Sequence, residues 1–498
     1  MMWLHEFSDL AVVPILPVVG SLLVFIIGGV LTLLAGLFTM RRETLRQVRA
    51  FLWTQKWGLL VLILLGFVLM QGVAAVWEWR RNKDVPPIAV TGEWRLFRGS
   101  LARAGWADSR PGPHGGGVQW TAERSTQCYS SPAIVGDYVL ATISDGRDAR
   151  IVSVDARSGE RIWSAAPSGY RTTFSSPVVA RARLVCGEGL HHTPNSRVVC
   201  FDLSQGFPRL AWEFATDSHV ECTPVIDGDR VFVNAGDDGV YCLNLFGDGD
   251  QRIAWHLSGT DFPDAETALA VAHERVYVGL GRGGSALCVL DAGTGRELRR
   301  LPMPFLVFAP PAIDGDRLLI GMGNGNYLEQ PTGAAGEVRC LDRHTLETLW
   351  SVSTSSPVLA SVVIDREQVI FTCTDGALHC VQIDGAPVAQ WTAPANVLAA
   401  PAVTDVMVYC ISSDGVLTGL DRARLMPVWQ TRLGAPGHYV SSPVIAHGHI
   451  YVGTPHDGLV CVGDPSTSAD SDSTLGGNQI VPETKRIHLL CSAAKNRD

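Results

Sequence analysis

By residue type, two adjacent imidazoles, His191 and His192, with His219 following, are the side chains best suited to hold a metal ion. Neighbouring side chains on an extended chain point to opposite sides, so such a pair seldom shares one ion. The expected setting is a solvated loop with no metal. A second group, His438, His447, His449 and His456, lies near the end of the repetitive region, with His447 and His449 flanking a turn. The twelve cysteines include no adjacent pair, no Cys-x-x-Cys and no Cys-x-x-Cys-His, which argues against a redox centre or an attached haem. Gly281-Arg282-Gly283-Gly284 and Gly321-Met322-Gly323-Asn324-Gly325 are glycine-rich, but neither precedes a helix, so neither is read as a phosphate cradle. Asp137, Asp229 and Asp316 recur at one tight turn and are explained by turn chemistry rather than acid–base pairing. No catalytic, cofactor-binding or metal-binding residue is therefore expected.

The elements that carry these residues begin with two apolar runs. Trp57 to Trp77 holds 21 residues and no charge, with Trp57, Trp77 and Trp79 at its ends. That length spans a bilayer core of about 30 Å, and the indoles suit its interfaces. Leu10 to Met40 is also uncharged but too long for a straight span, and Pro14 and Pro17 suggest a bent entry. Transmembrane helices are expected at about 18–40 and 57–78. The segment before residue 10 carries Glu6 and Asp9 without Lys or Arg, unlike a cleaved signal peptide. The loop 41–56 contains Arg41, Arg42, Arg46, Arg49 and Lys56 against Glu43, and outweighs Arg80, Arg81 and Lys83. The positive-inside rule places it in the cytoplasm and the rest of the chain outside: a multi-pass inner-membrane protein with its main domain in the periplasm. A net charge of −9 leaves no basic face for nucleic acid.

With only 18% charged residues and 51 glycines, the remainder suits a turn-rich all-β fold. One phrase recurs eight times. Ser131-Pro132-Ala133-Ile134-Val135-Gly136-Asp137 leads to Asp145-Gly146, then Ile151 to Asp155, then Ser158-Gly159-Glu160 and Trp163. Copies open near Ser176, Thr223, Leu269, Pro311, Ser361, Ala400 and Ser442. A period of about 44 residues with four short strands describes a propeller blade. Proline at the start of the first strand fits an edge facing the axis. Asp-Gly at 145, 238, 375, 414 and 457 fits hairpins that need positive φ. Trp120, Trp163, Trp212, Trp255, Trp350, Trp391 and Trp429 fall on outer strands, where each indole can dock on a neighbouring blade; the fourth copy has Arg299 instead.

Cys200, Cys242, Cys288, Cys340, Cys380 and Cys461 share one third-strand position, where the other copies carry Ser153 and Gly419. This is a small-residue core slot, and buried free thiols are expected there; Cys373 and Cys380 lie near each other across a hairpin, and their pairing is left open. The last copy lacks a closing Trp, and the strand around Val118-Gln119-Trp120 precedes the first copy, so it is expected to complete the eighth blade and close the ring. The domain plan is a membrane anchor at 1–83, a leader at 84–117, an eight-bladed all-β propeller of four-stranded blades at 118–464 and a disordered tail at 465–498 with Cys491 unexplained. Protrusions at His191 to Ser196 and Asn324 to Gly336, with Tyr327, Leu328 and Pro331, are candidates for shaping a binding face. The apolar run Pro304 to Phe308 is expected to be core.

The eight-residue steps Asp155 to Trp163, Asp342 to Trp350 and Asp421 to Trp429 match the tryptophan-docking motif of the PQQ-like propeller repeats. These are found in quinoprotein dehydrogenases and in the assembly lipoprotein BamB. Trp94-Arg95-Leu96-Phe97-Arg98-Gly99 resembles the leader before many such propellers. The resemblance, over about residues 93–464, implies the fold. In the family's dehydrogenases the quinone lies between a tryptophan and a vicinal disulfide beside calcium. Here no cysteines are adjacent, and of 14 tryptophans seven precede residue 110 and seven occupy docking positions. PQQ with Ca2+ is therefore not expected. The chain also has no cysteine before Cys128 to carry a lipid anchor. The expected role is a membrane-tethered, non-catalytic scaffold that binds protein partners in the cell envelope. A PQQ-dependent dehydrogenase and a glycan or cell-wall binding module are the alternatives.

Overall fold

The computed structural model describes residues 112–465, apart from His192, 328–331 and Arg366, together with Trp53, Trp57, Gly66, Met70, Gln71 and Gly72. Those last six residues have helical backbone. Among the described residues no helix is long and apolar enough to cross a membrane. The expected spans at 18–40 and 57–78 lie outside the described residues, apart from five positions of the second, and so does the tail beyond residue 465.

Residues 117–463 form eight antiparallel four-stranded sheets. The first is Ala133–Val135, Tyr138–Ser144, Ala149–Asp155 and Arg161–Ala165, in chain order from the axis outward. The next six repeat it over 178–216, 225–258, 270–302, 312–354, 363–392 and 402–432. The eighth takes three strands from 444–463 and its outer strand from Gly117–Ala122, paired antiparallel to Gly458–Gly463, as the missing last tryptophan implied. The innermost strands of successive blades lie against one another, and each follows the proline or apolar residue that opens its copy. The glycine of each Asp-Gly pair has positive φ, as at Gly239 (+96°), a region that costs glycine nothing.

Each blade is too thin to bury both of its faces, and the apolar clusters lie between blades. One joins Val225, Phe232 and Cys242 of the third blade to Val276, Leu280 and Leu290 of the fourth. Into it goes Trp255, whose Nε1 donates to the carbonyl of Ala292 in the next blade at 3.0 Å. Trp120, Trp212 and Trp350 donate likewise to Ala156 (3.1 Å), Leu245 (2.9 Å) and Ile383 (2.7 Å). Trp163 and Trp429 pack between blades with no partner for Nε1. The register explains the small-residue slot: Cys200, Cys242, Cys340 and Cys461 stand opposite Trp212, Trp255, Trp350 and Trp120, whereas Cys288, expected in the same slot, lies one residue away from it, with Val289 opposite Arg299. A Cβ on Gly419 would meet the Trp429 ring at 2.3 Å. In the sixth blade the turn is shorter. Ala389 stands opposite Cys380, while Trp391 stands opposite Leu378. Trp391 therefore sits outside the shared register, although it still packs between the sixth and seventh blades.

All eleven described cysteines are free and buried, Cys373 and Cys380 included. Burial pushes the thiols of Cys200, Cys242, Cys288 and Cys461 up to about 12. Of the run Pro304 to Phe308, expected to be core, Val307 is fully buried, Phe305, Leu306 and Phe308 are half-buried, and Pro304 is exposed.

A second set of bonds runs around the axis. The N–H of Ser131 donates to Ser176 Oγ (2.9 Å), that of Ser176 to Thr223 Oγ1 (3.1 Å), that of Ala400 to Ser442 Oγ (3.1 Å) and that of Ser442 to Ser131 Oγ (2.9 Å). Ser130, Ser175 and Ser441, one residue earlier, accept from the second strand of their own blade. In the first, second and eighth blades the paired serines thus join the blade to itself and to the next.

Trp255→Ala is expected to lower the unfolding free energy by about 3–5 kcal/mol, through the cavity and the orphaned Ala292 carbonyl. Gly295→Val should act in the same direction, because a Cβ there would meet the Trp255 ring at 2.7 Å and Gly295 has a φ of +73°. Denaturant melts of both variants check this. In native protein at pH 8 a thiol reagent should reach none of the eleven described cysteines, and in denaturant all should react without prior reduction.

Candidate functional site at one mouth of the ring

Because each blade runs up and down four times, its second hairpin and its connection to the next blade emerge on the same face. His191 is on the second hairpin of the second blade, between Arg183–Gly187 and Ser196–Asp202. His219 and Glu221 lie on the connection from the second blade to the third, and Asp264 and Glu266 on that from the third to the fourth. These connections converge: His191, His219, Glu221 and Glu266 each place a nitrogen or oxygen within 4.8 Å of the others.

Each side chain is held in place. His219 Nδ1 meets Ser218 Oγ at 3.1 Å, and Nε2 meets Glu266 Oε1 at 3.0 Å. His191 Nδ1 contacts the same Glu266 oxygen, and its backbone N–H donates to Glu221 Oε2 at 3.0 Å. The two imidazoles meet edge to face, with centroids 5.2 Å apart. Arg171 braces the His191 loop by donating to the carbonyls of Pro194 (3.0 Å) and Asn195 (2.5 Å). Buried Glu188 binds both Arg171 and Arg197 beneath it. Gly236 pairs with Ala265 in both directions and must be glycine, since a Cβ would meet His219 Cε1 at 2.6 Å. The backbone of Arg282, in the glycine-rich run, donates to the Asp264 carboxylate, which lies where a Gly281 Cβ would be. That run cradles a carboxylate rather than a phosphate.

The expectation of a solvated loop is thus corrected for His219, which is 3% exposed, and holds better for His191 at 40%. Sequence reasoning missed Glu221 and Glu266, which stand 30 and 75 residues beyond His191; both occupy the repeat position three residues before Pro224 and Leu269, where the first two copies carry Tyr129 and Phe174. His192 lies outside the described residues. The other histidine group does not converge: His447 Nε2 bonds the Gly136 carbonyl, His449 Nδ1 the His447 carbonyl and His456 Nε2 the Pro436 carbonyl.

Charge is unbalanced here. Burial, and then the charge of Glu266, pushes Glu221 up to about 7, and the same two causes push Asp264 to about 7. Burial also opposes ionisation of Glu266, but hydrogen bonds from His219 and Asp264 hold it below the usual carboxylate range. Burial disfavours the His219 imidazolium, yet Glu266 raises it above the ordinary histidine value. The arrangement can store protons between three carboxylates and two imidazoles, or hold a cation.

Beside this cluster is an aromatic rim. Tyr129, on the connection into the first blade, meets Phe174 edge-on at 5.4 Å. Phe174, on the next connection, is 6.4 Å from Tyr327. Tyr327 comes from the fifth blade, across the ring, and donates to the Leu359 carbonyl at 3.1 Å. Tyr327, in the insertion from Asn324 to Gly336, therefore reaches the mouth; residues 328–331 lie outside the described set. The seven docking tryptophans are elsewhere, on outer strands between blades.

Eight four-stranded blades with interblade indoles define a PQQ-repeat β-propeller. The chain belongs to the family described as outer membrane protein assembly factor BamB, whose profile matches residues 112–207, 147–333 and 334–479. No curated protein matches it. Among solved structures, BamB from Moraxella catarrhalis is 14% identical, with 71% of this chain and 98% of that one covered and a TM-score of 0.54. The quinohemoprotein alcohol dehydrogenase from Comamonas testosteroni is 11% identical, covering 80% and 85%, with a TM-score of 0.61. The computationally designed Ika8 protein is 16% identical, covering 70% and 99%, with a TM-score of 0.54. At these identities the likeness is one of fold.

In chelator-treated Glu266→Gln protein, His219 should titrate at lower pH than in the wild type, because the variant keeps the burial that disfavours imidazolium and loses the carboxylate that favours it. Histidine NMR reads this, and an unchanged titration would contradict the assigned contact.

Proposed function

We propose that this chain is a non-catalytic, protein-binding propeller of the cell envelope, tethered to the inner membrane by helices at about 18–40 and 57–78, with its blades on the periplasmic side. The family match over residues 112–479 carries the reading, and the family's description points to assembly of outer-membrane proteins. The residues support a scaffold over a quinone-dependent dehydrogenase. Every tryptophan from Trp120 to Trp429 is committed between blades, and the eleven described cysteines are single, buried thiols. Among the described residues a quinone clamped between an indole and a vicinal disulfide would have neither wall. The mouth instead presents Tyr129, Phe174 and Tyr327, which suit an apolar segment of a protein partner.

Three measurements test this. A phosphatase fused after residue 84 should be active and one fused after residue 50 inactive; the reverse would overturn the topology. The full chain equilibrated with PQQ and Ca2+ should retain no cofactor absorbance and reduce no dye; retention with turnover would replace the scaffold by the dehydrogenase. A photocrosslinker at Phe174 should give a discrete protein adduct in native membranes, while one at His447, on the opposite face, should not. Equal labelling at both would remove the mouth from the proposal.

A further inference from the structure

We propose that His191, His219, Glu221 and Glu266 form a closed binding site for a divalent cation of the zinc class, which ties the second, third and fourth blades together at the mouth. Four donors from three separate connections lie within 4.8 Å of one another. Ligands around one tetrahedral Zn2+ are about 3.4 Å apart, given metal–ligand bonds of roughly 2.0–2.2 Å. The widest pairs must therefore close by about 1.4 Å while the two imidazoles back away from the Glu266 oxygen that both touch, and the half-exposed His191 side chain can supply part of that adjustment.

The mixture of donors selects the metal. Two imidazoles and two carboxylates suit a borderline ion such as Zn2+, whereas Ca2+ takes six to eight oxygens. Four protein ligands leave no open position, so the site is structural rather than hydrolytic. The surroundings resemble a metal's outer shell. Ser218 fixes His219 through the ring nitrogen that faces away from Glu266. Asp264, held by the Arg282 backbone, lies beside Glu266. A cation would also offset the carboxylate charge that Glu221, Asp264 and Glu266 bring beside the two imidazoles.

The test uses untagged full-length protein in detergent, stripped with chelator and titrated with Zn2+ alone, with Co2+ as spectroscopic probe. One Zn2+ per chain should bind, Co2+ should give the visible bands of a tetrahedral site, and the melting temperature should rise. His191→Ala removes an exposed ligand and Glu266→Gln preserves shape, so both should fold. Each should weaken Zn2+ binding at least about tenfold and abolish the thermal gain. His447→Ala, remote from the cluster, should bind as the wild type does, and excess Ca2+ should not displace Zn2+. Absence of stoichiometric Zn2+, Zn2+ binding that survives both substitutions, or displacement by Ca2+ would each overturn the proposal.

Discussion

A four-stranded blade has two apolar faces and no means of covering either by itself; everything else in this protein follows from the need to cover them with neighbours. The clusters are shared between adjacent blades, and the indole on an outer strand is their main wedge. It supplies a large apolar surface, and in four cases its N–H also satisfies a carbonyl of the next blade. The demand propagates inward along the register. A ring opposite Cys242 or Gly419 leaves no room for a branched side chain there, so one docking residue fixes both its cross-strand partner and the turn it lands on.

Interblade packing of this kind leaves two open ends unless the ring closes. Closure comes from the strand Gly117–Ala122, which supplies the eighth blade with its outer strand and Trp120. The ends are latched further. Tyr409 Oη donates to the Pro113 carbonyl at 3.0 Å, and Gln119 Nε2 donates to the Asp464 carbonyl at 3.1 Å. The axial serine belt runs from the seventh blade through the eighth and first to the third, so it is continuous across the closure. It lapses on the far side for identifiable reasons. The fourth copy has Ala268 at this position, which has no hydroxyl. Ser361 of the sixth keeps its hydroxyl without a partner, and the corresponding residue of the fifth is Pro310, which has no N–H to give. The same arc contains the blade with Arg299 in place of tryptophan. There the interface is filled by Leu301, Met303 and Leu346.

The repeat made the blades, their number and the closing strand legible, because a propeller reuses the same solution at every interface. The same habit misplaced Trp391. A turn one residue shorter moved the docking register to Ala389, and an indole two positions on still looked right by composition. The Ser-Ser-Pro phrases at 130, 175 and 441 carried more than the proline edge: each hydroxyl has its own assigned donor, a fact that needs two blades in view at once.

The His–Glu cluster was opaque for a deeper reason. Alignment of the copies keeps what they share, and what they share is packing. A binding site on a ring must instead be built from what differs between neighbours, on connections the packing does not constrain. His191 lies in the second hairpin of the second blade, which is longer there (188–195) than in the first (145–148) or third (235–238). Glu221 and Glu266 occupy connections of unequal length, and Tyr327 comes from an insertion peculiar to the fifth. The His–Glu residues become neighbours once the second, third and fourth blades stack, whereas Tyr327 meets Phe174 only across the ring. The interblade indoles therefore act at the mouth without touching it. By fixing the circumference they bring two imidazoles and three carboxylates from separate connections to one place, while the connections themselves remain free to vary in sequence.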